Sequence, residues 1–178
     1  FGRLNGLTAV YVGDGRNNVC NSLMLGCAKA GINVVNCCPP ELAPAAEHVA
    51  AVEEKATENG CRVTIDHDPE SAVRGANVVY TDVWVSMGEE DALQERLRLL
   101  RPYQVTMAMM ERTGHLAAGQ AIFLHCLPAF HNDATEFSAE LGPLEVTDEV
   151  FEAPFSKVFE EAENRMHTIK AMMVASLA

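Results

Sequence analysis

The chain has 178 residues, nearly half of them apolar, enough for one well-filled domain. Its formal charge of −12 argues against nucleic acid or an anionic membrane surface as partner, while leaving room for a local basic site. No stretch approaches the apolar length of a membrane span, and the six cysteines, without a C-x-x-C pair, read as reduced thiols of a cytoplasmic protein.

The opening residues, Phe1-Gly2-Arg3-Leu4-Asn5-Gly6, resemble no signal or transit peptide and predict a chain that begins at a domain boundary of something longer. Leu7 to Val12 is a β-rich apolar run. The turn Gly13-Asp14-Gly15-Arg16-Asn17-Asn18 then leads into a helix over Val19 to Ala30, stopped by Gly31. Ile32 to Val35 reads as a second strand, Pro39-Pro40 as a loop, and Ala43 to Asn59 as an Ala/Glu-rich helix closed by Gly60. A third strand at Arg62 to Ile65 precedes a short helix from Pro69 to Arg74, and a fourth runs from Asn77 to Thr81. Helices follow at Glu89 to Leu100 and Gln104 to Arg112, then a fifth strand at Ala121 to Leu124. Asn132 to Leu141 is helical in part, and Ser156 to Leu177 forms a long final helix. Strands alternating with helices predict an α/β fold: a doubly wound, mainly parallel sheet flanked by helices in a Rossmann-like three-layer arrangement, with residues 1–178 as one domain.

Three strand ends carry chemistry. The first turn sits where a dinucleotide fingerprint would begin, but Asn18 replaces its third glycine and the second strand ends without an acid for a ribose hydroxyl. Asn17 and Asn18 instead offer side-chain donors at a helix N-terminus that suits a carboxylate; one of the two is expected only to cap the helix. At the second strand end, Asp82 can accept hydrogen bonds from an ammonium group, with Ser86-Met87-Gly88 as a small-residue loop beside it. On spacing alone the plainer reading is favoured: a strand-end Asp82 that caps the next turn, with Met87 in the core. The third is Phe123-Leu124-His125-Cys126-Leu127-Pro128-Ala129-Phe130-His131, where a short strand breaks on proline and leaves a thiol and two imidazoles at its end. Neighbours on a strand face opposite ways, so His125 is poorly placed to activate Cys126, and no zinc ligand spacing is present. Cys126 therefore reads as a contact or proton acceptor rather than a covalent nucleophile. In the last helix, Arg165 lies among acids, either on a solvated face or turned inward to hold an anion.

Taken together, Gly13-Asp14-Gly15-Arg16-Asn17-Asn18-Val19, Asp82-Val83-Trp84-Val85-Ser86-Met87-Gly88-Glu89, His125-Cys126-Leu127-Pro128-Ala129-Phe130-His131 and Ala162-Glu163-Asn164-Arg165 resemble the ornithine carbamoyltransferase family, specifically its C-terminal, ornithine-binding half. The resemblance implies that Asn18, Asp82, Ser86 and Met87 hold the α-amino and α-carboxylate groups of ornithine. It places Cys126 near the attacking δ-amine, with Asp82 and Cys126 as the catalytic pair. The backbone around Cys126 and Leu127, together with Arg165, would contact carbamoyl phosphate. The implied reaction is attack of the δ-amine on the carbamoyl carbon, giving citrulline and phosphate in arginine metabolism, with no metal or organic cofactor.

The family's Ser-Thr-Arg-Thr and His-x-x-Gln motifs are missing from these residues. The expectation is a chain without the N-terminal carbamoyl-phosphate domain, inactive alone, whose full-length form is a homotrimer. Two other readings stay open: a non-catalytic amino-acid-binding module, and a dinucleotide-binding oxidoreductase domain.

Overall fold

Runs of β-branched residues alternating with helix formers fold as the periodicity predicts. The computed structural model describes residues 1–85 and 93–177. Its five strands are β1 (Thr8–Val12), β2 (Asn33–Cys37), β3 (Val63–Asp66), β4 (Val78–Thr81) and β5 (Ile122–His125). They form one sheet in the order β3-β2-β1-β4-β5, every pairing parallel. Strands covered on both faces need no polar side, which is why β1 and β4 read as continuous apolar runs. The chain works outward from β1 to β3, then returns to add β4 and β5 beyond β1. The reversal puts the switch point between the carboxyl ends of β1 and β4, where open α/β sheets bind ligands.

Alternation along β1 divides the core into two layers. Val10 and Val12 pack with Val79, Phe123, Met110 and Val150 on one side. Ala9 and Tyr11 pack with Cys20, Met24, Val34 and Tyr80 on the other. A third cluster of Leu42, Trp84, Leu97, Leu100 and Leu144 lies under the loops at the carboxyl edge.

The helices are α1 (Asn18–Lys29), α2 (Ala46–Glu58), α3 (Pro69–Ala72), α4 (Leu93–Leu100), α5 (Met107–Arg112), α6 (Glu136–Leu141), α7 (Asp148–Phe151) and α8 (Val158–Leu177). Some starts fall later than the sequence predicts. Helix α2 begins at Ala46 because Pro40–Leu42 form a 3-10 turn and Pro44 disfavours helix at Ala43. Helix α5 begins at Met107: Val105 is drawn into a parallel bridge with Val146, and Thr106 caps the helix by accepting from the Met109 N–H. Thr135 and Ser138 exchange hydrogen bonds in a capping box that fixes the start of α6. The expected helix over Glu89 to Leu100 is seen as α4, and its opening residues lie outside the described ones. No helix among the described residues is long and apolar enough to cross a membrane.

Helix α8 is tied to the sheet only near its start. The Phe123 N–H donates to the Phe155 carbonyl and the Lys157 N–H to the Phe123 carbonyl, and Val158 is buried. Beyond Glu161 every described residue of α8 is exposed, including Met166, Ile169, Met173 and Leu177.

Candidate functional site

Asp14 organises the turn after β1. One carboxylate oxygen accepts from the Arg16 N–H at 2.9 Å and the other from Arg96 Nη2 at 2.7 Å, with Asp14 and Arg96 both buried. Arg96 also donates through Nε to the Trp84 carbonyl. This ion pair therefore anchors both flanks of residues 86–92 to the first turn. Gly15 is required there, since a Cβ would lie 2.7 Å from Cys38 Sγ and 2.8 Å from the Leu42 carbonyl. Asn17 is the capping residue, its side-chain oxygen accepting from the Val19 N–H at 2.7 Å. Asn18 is exposed at the first position of α1, and its amide makes no hydrogen bond among the described residues.

The ends of β4 and β5 bring Asp82 and Cys126 together. The Cys126 thiol donates to Asp82 Oδ1 at 3.1 Å, and the Val83 N–H donates to the same oxygen at 2.7 Å. Burial pushes the Cys126 thiol up to about 12; the hydrogen bond and charge of Asp82 add to this, while the Tyr80 hydroxyl opposes it. At neutral pH Cys126 is thus a protonated donor, and the proton acceptor of the pair is the carboxylate. A thiol held this way is a poor nucleophile.

His125 makes its hydrogen bonds to groups other than the thiol. It is fully buried, with Nε2 3.3 Å from Glu145 Oε1, and its Nδ1 accepts from the Leu127 N–H at 2.9 Å. The ring proton therefore sits on Nε2. Glu145 Oε1 also accepts from the Phe130 N–H at 2.7 Å, so one buried carboxylate braces the loop after Cys126. Leu127 has a positive φ of 54° and is joined to Pro128 by a cis peptide. The carbonyls of Cys126 and Leu127 accept no hydrogen bond among the described residues. At the far end of the motif His131 lies outside this cluster, paired with Asp148 at 2.6 Å and stacked on Phe151.

Cys126, Glu161, Ala162, Asn164, Arg165 and Thr168 line a cavity of about 330 Å³ between β5 and α8. Arg165 is not turned into the core. It is exposed, forms the open wall of the cavity and makes no ion pair among the described residues. One turn earlier on the same helix, Glu161 accepts from the Tyr80 hydroxyl at 2.9 Å and from the His125 N–H at 3.1 Å. Burial raises the Glu161 carboxyl, against the lowering effect of those two bonds. A larger hollow of about 710 Å³ lies further along α8, lined by Met166, Ile169, Lys170, Met173, Val174 and Leu177. It offers one ammonium and otherwise only apolar groups, so it suits packing rather than a zwitterionic ligand.

Among the described residues, two groups have the donors to hold a metal: Asp82 with His125 and Cys126, and His131 with Asp148 and Glu152. In the first, both imidazole nitrogens already serve the Leu127 N–H and Glu145, so a metal would have to break that brace.

Of the residues predicted from sequence, Asp82, Cys126, Leu127 and Arg165 gather around β5 and α8, Asn18 stands at the start of α1, and Ser86 and Met87 lie outside the described residues. Tyr80, Glu145 and Glu161 were not singled out as parts of the site. Glu161 stood in plain view in the Glu161-Ala162-Glu163-Asn164-Arg165 run, whereas nothing local marks Glu145.

An open parallel sheet with a thiol–carboxylate pair beside its switch point defines a small-molecule-binding α/β domain. The family model described as aspartate/ornithine carbamoyltransferase, Asp/Orn binding domain, matches residues 5–176, and the chain belongs to that family. Similar relatives include the catabolic ornithine carbamoyltransferase of Enterococcus faecalis, 52% identical over 99% of this chain and 54% of that protein. That of Bacillus licheniformis is 53% identical over 99% of this chain and 53% of its own length. The crystal structure of ornithine carbamoyltransferase from Gloeobacter violaceus superposes with a TM-score of 0.80 at 42% identity, covering 97% of this chain and 52% of that one. The chain thus spans about half the length of the relatives it matches.

Proposed function

We propose that this chain is the ornithine-binding half of an ornithine carbamoyltransferase. The observation that carries the reading is the Cys126–Asp82 pair at the sheet's carboxyl edge, beside a cavity walled by Arg165. In this reading Asn18, Asp82, Ser86 and Met87 hold the α-amino and α-carboxylate groups of ornithine. Its δ-amine lies by Cys126, while Arg165 and the backbone at Cys126 and Leu127 receive carbamoyl phosphate. The amine nitrogen bonds to the carbamoyl carbon, the carbon–oxygen bond to phosphate breaks, and the amine proton is lost. Because the Cys126 thiol is itself protonated, the acceptor on this half is Asp82, with the thiol relaying or orienting. Arg165 offsets charge as phosphate departs.

The rest of the electrophile's site belongs to the part of the relatives that this chain does not span. We assign the exposed apolar stripe of α8 as the seat of that part, and the complete protein is expected to be a homotrimer acting on ornithine and carbamoyl phosphate. All six cysteines are free, which favours the reducing cytoplasm as its setting.

Citrulline formation from ornithine and carbamoyl phosphate tests this, with the chain alone and mixed with the carbamoyl-phosphate half of a relative. The expected result is turnover only in the mixture, with Asp82→Asn lowering kcat by about 10²-fold or more. Turnover by the chain alone, or silence in a mixture shown to associate, would overturn it.

A further inference from the structure

We propose that Glu161 is a positioning residue that ties α8 to the two strands carrying Asp82 and Cys126, and so sets where Arg165 stands over the cavity. The tie has three ends. Glu161 Oε1 accepts from the hydroxyl of Tyr80, two residues before Asp82 on β4. Its Oε2 accepts from the N–H of His125, the residue before Cys126 on β5. Glu161 itself is in the first turn of α8, and Arg165 follows one turn later on the same face.

Helix α8 is a lever twenty residues long, and few contacts hold it. Val158 enters the core and the backbone on either side of Ser156 pairs with Phe123. Phe159 touches Phe151 edge-on with ring centroids 5.9 Å apart. After Glu161, the side-chain hydrogen bonds of α8 among the described residues all stay within the helix. The last link between α8 and the sheet before the lever runs free is therefore the Glu161 carboxylate. A tilt of the helix about that point would carry Arg165 with it, roughly 6 Å up the axis. Glu163, exposed on the same helix, has no such partners; its carboxylate lies 3.7 Å from His167 Nε2.

The role given to Arg165 rests on the proposed function; the tie does not, so the test has two arms. The first uses this chain with Arg165→Cys, whose exposed thiol is alkylated with a benzophenone maleimide while the protonated Cys126 is spared, and light then joins that probe to the segment around Cys126 across the cavity. Cross-linking should proceed readily in that background and fall at least threefold when Glu161→Ala is added, with Tyr80→Phe intermediate. Glu161→Gln keeps one acceptor and should restore part of the yield, while Glu163→Gln should change nothing. Tyr80→Phe, which removes one hydroxyl, keeps the test alive if Glu161→Ala does not fold. Equal yields with Glu161→Ala and Tyr80→Phe present or absent would overturn the proposal.

The second arm uses the chain mixed with the carbamoyl-phosphate half. There Glu161→Ala should raise KM for carbamoyl phosphate about tenfold and leave that for ornithine within about twofold. Equal rises for both substrates would overturn the link to Arg165. A mixture that makes no citrulline even without substitutions would count against the proposed function, and the cross-link would still decide the tie.

Discussion

The carboxyl edge of the sheet and the outer length of α8 are built on opposite principles. At the sheet edge polar groups are buried or half-buried and multiply bonded: Asp14 meets Arg96, Glu145 meets both His125 and the Phe130 N–H, and the half-buried Glu161 meets both Tyr80 and the His125 N–H. Along α8 the large apolar side chains face outward, with Met173 58% and Leu177 82% exposed. The first pattern fixes atoms in place without outside help. The second is what remains when an apolar helix face lacks its partner, since isolated proteins rarely leave so continuous a stripe uncovered. One region is complete in this chain, and the other is, in the proposed reading, the face that meets the rest of the protein.

Alkali should separate the two regions most strongly. Burial, reinforced by neighbouring acids and thiols, raises Cys20 and Cys37 and lifts Cys27 to about 11 and Cys38 to about 12. In the unfolded chain these thiols ionise near 8.5, so the unfolded state loses protons first. The stability they contribute is fully present below that value and drains away as pH rises toward the folded values. Each contributes a slope of about −1.4 kcal/mol per pH unit above about 8.5, and the four together lose roughly 8 kcal/mol by about pH 10. Urea midpoints at pH 7, 9 and 10 check this, with a fall confined to the alkaline side as the expected outcome. Replacing Cys20 with Ala should flatten the slope. Helix α8 has no cysteine and should contribute nothing to it.

This difference also separates what could be read from the sequence from what could not. The strands were legible because each is a short apolar run with a turn signal after it, and the glycines at 31, 60 and 114 follow helix ends where expected, while the helix before Gly75 ends earlier, at Ala72. The polar partners were not legible, because Glu145 lies 20 residues from His125, and Glu161 lies 36 residues from His125 and 81 from Tyr80. No local pattern encodes a pairing across such separations; only the sheet's register brings these groups together. The delayed start of α5 has the same origin, since the Val105–Val146 bridge withdraws residues that propensity would give to a helix, whereas that of α2 is local and set by Pro44.

Packing gives a sharper contrast on a smaller scale. Phe123 is fully buried between β5 and the start of α8, so Phe123→Ala should cost about 3–5 kcal/mol. Met173→Ala removes a side chain of similar apolar character but should change the stability of this chain by less than about 0.5 kcal/mol. Equilibrium denaturation of the two variants measures the difference directly. If Met173→Ala proved as costly as Phe123→Ala, the stripe on α8 would already be covered, by a second copy of the chain. A concentration-dependent midpoint would reveal that.

The smallest effect discriminates most finely, because it concerns two adjacent residues of one type. Asn17 accepts from the Val19 N–H and satisfies a donor that the helix leaves free, so Asn17→Ala should cost about 1 kcal/mol. Asn18 makes no such bond; Asn18→Ala should leave stability within a few tenths of a kcal/mol, since alanine suits a helix at least as well. Thermal or urea denaturation of both variants settles which asparagine serves the fold. The proposed ornithine contact then predicts the reverse order for function: in the complemented enzyme Asn18→Ala should raise KM for ornithine, because an exposed amide at the end of a helix dipole is free to meet a carboxylate. Loss of stability in Asn18→Ala with no change in KM would return that residue to an ordinary structural role and remove it from the site.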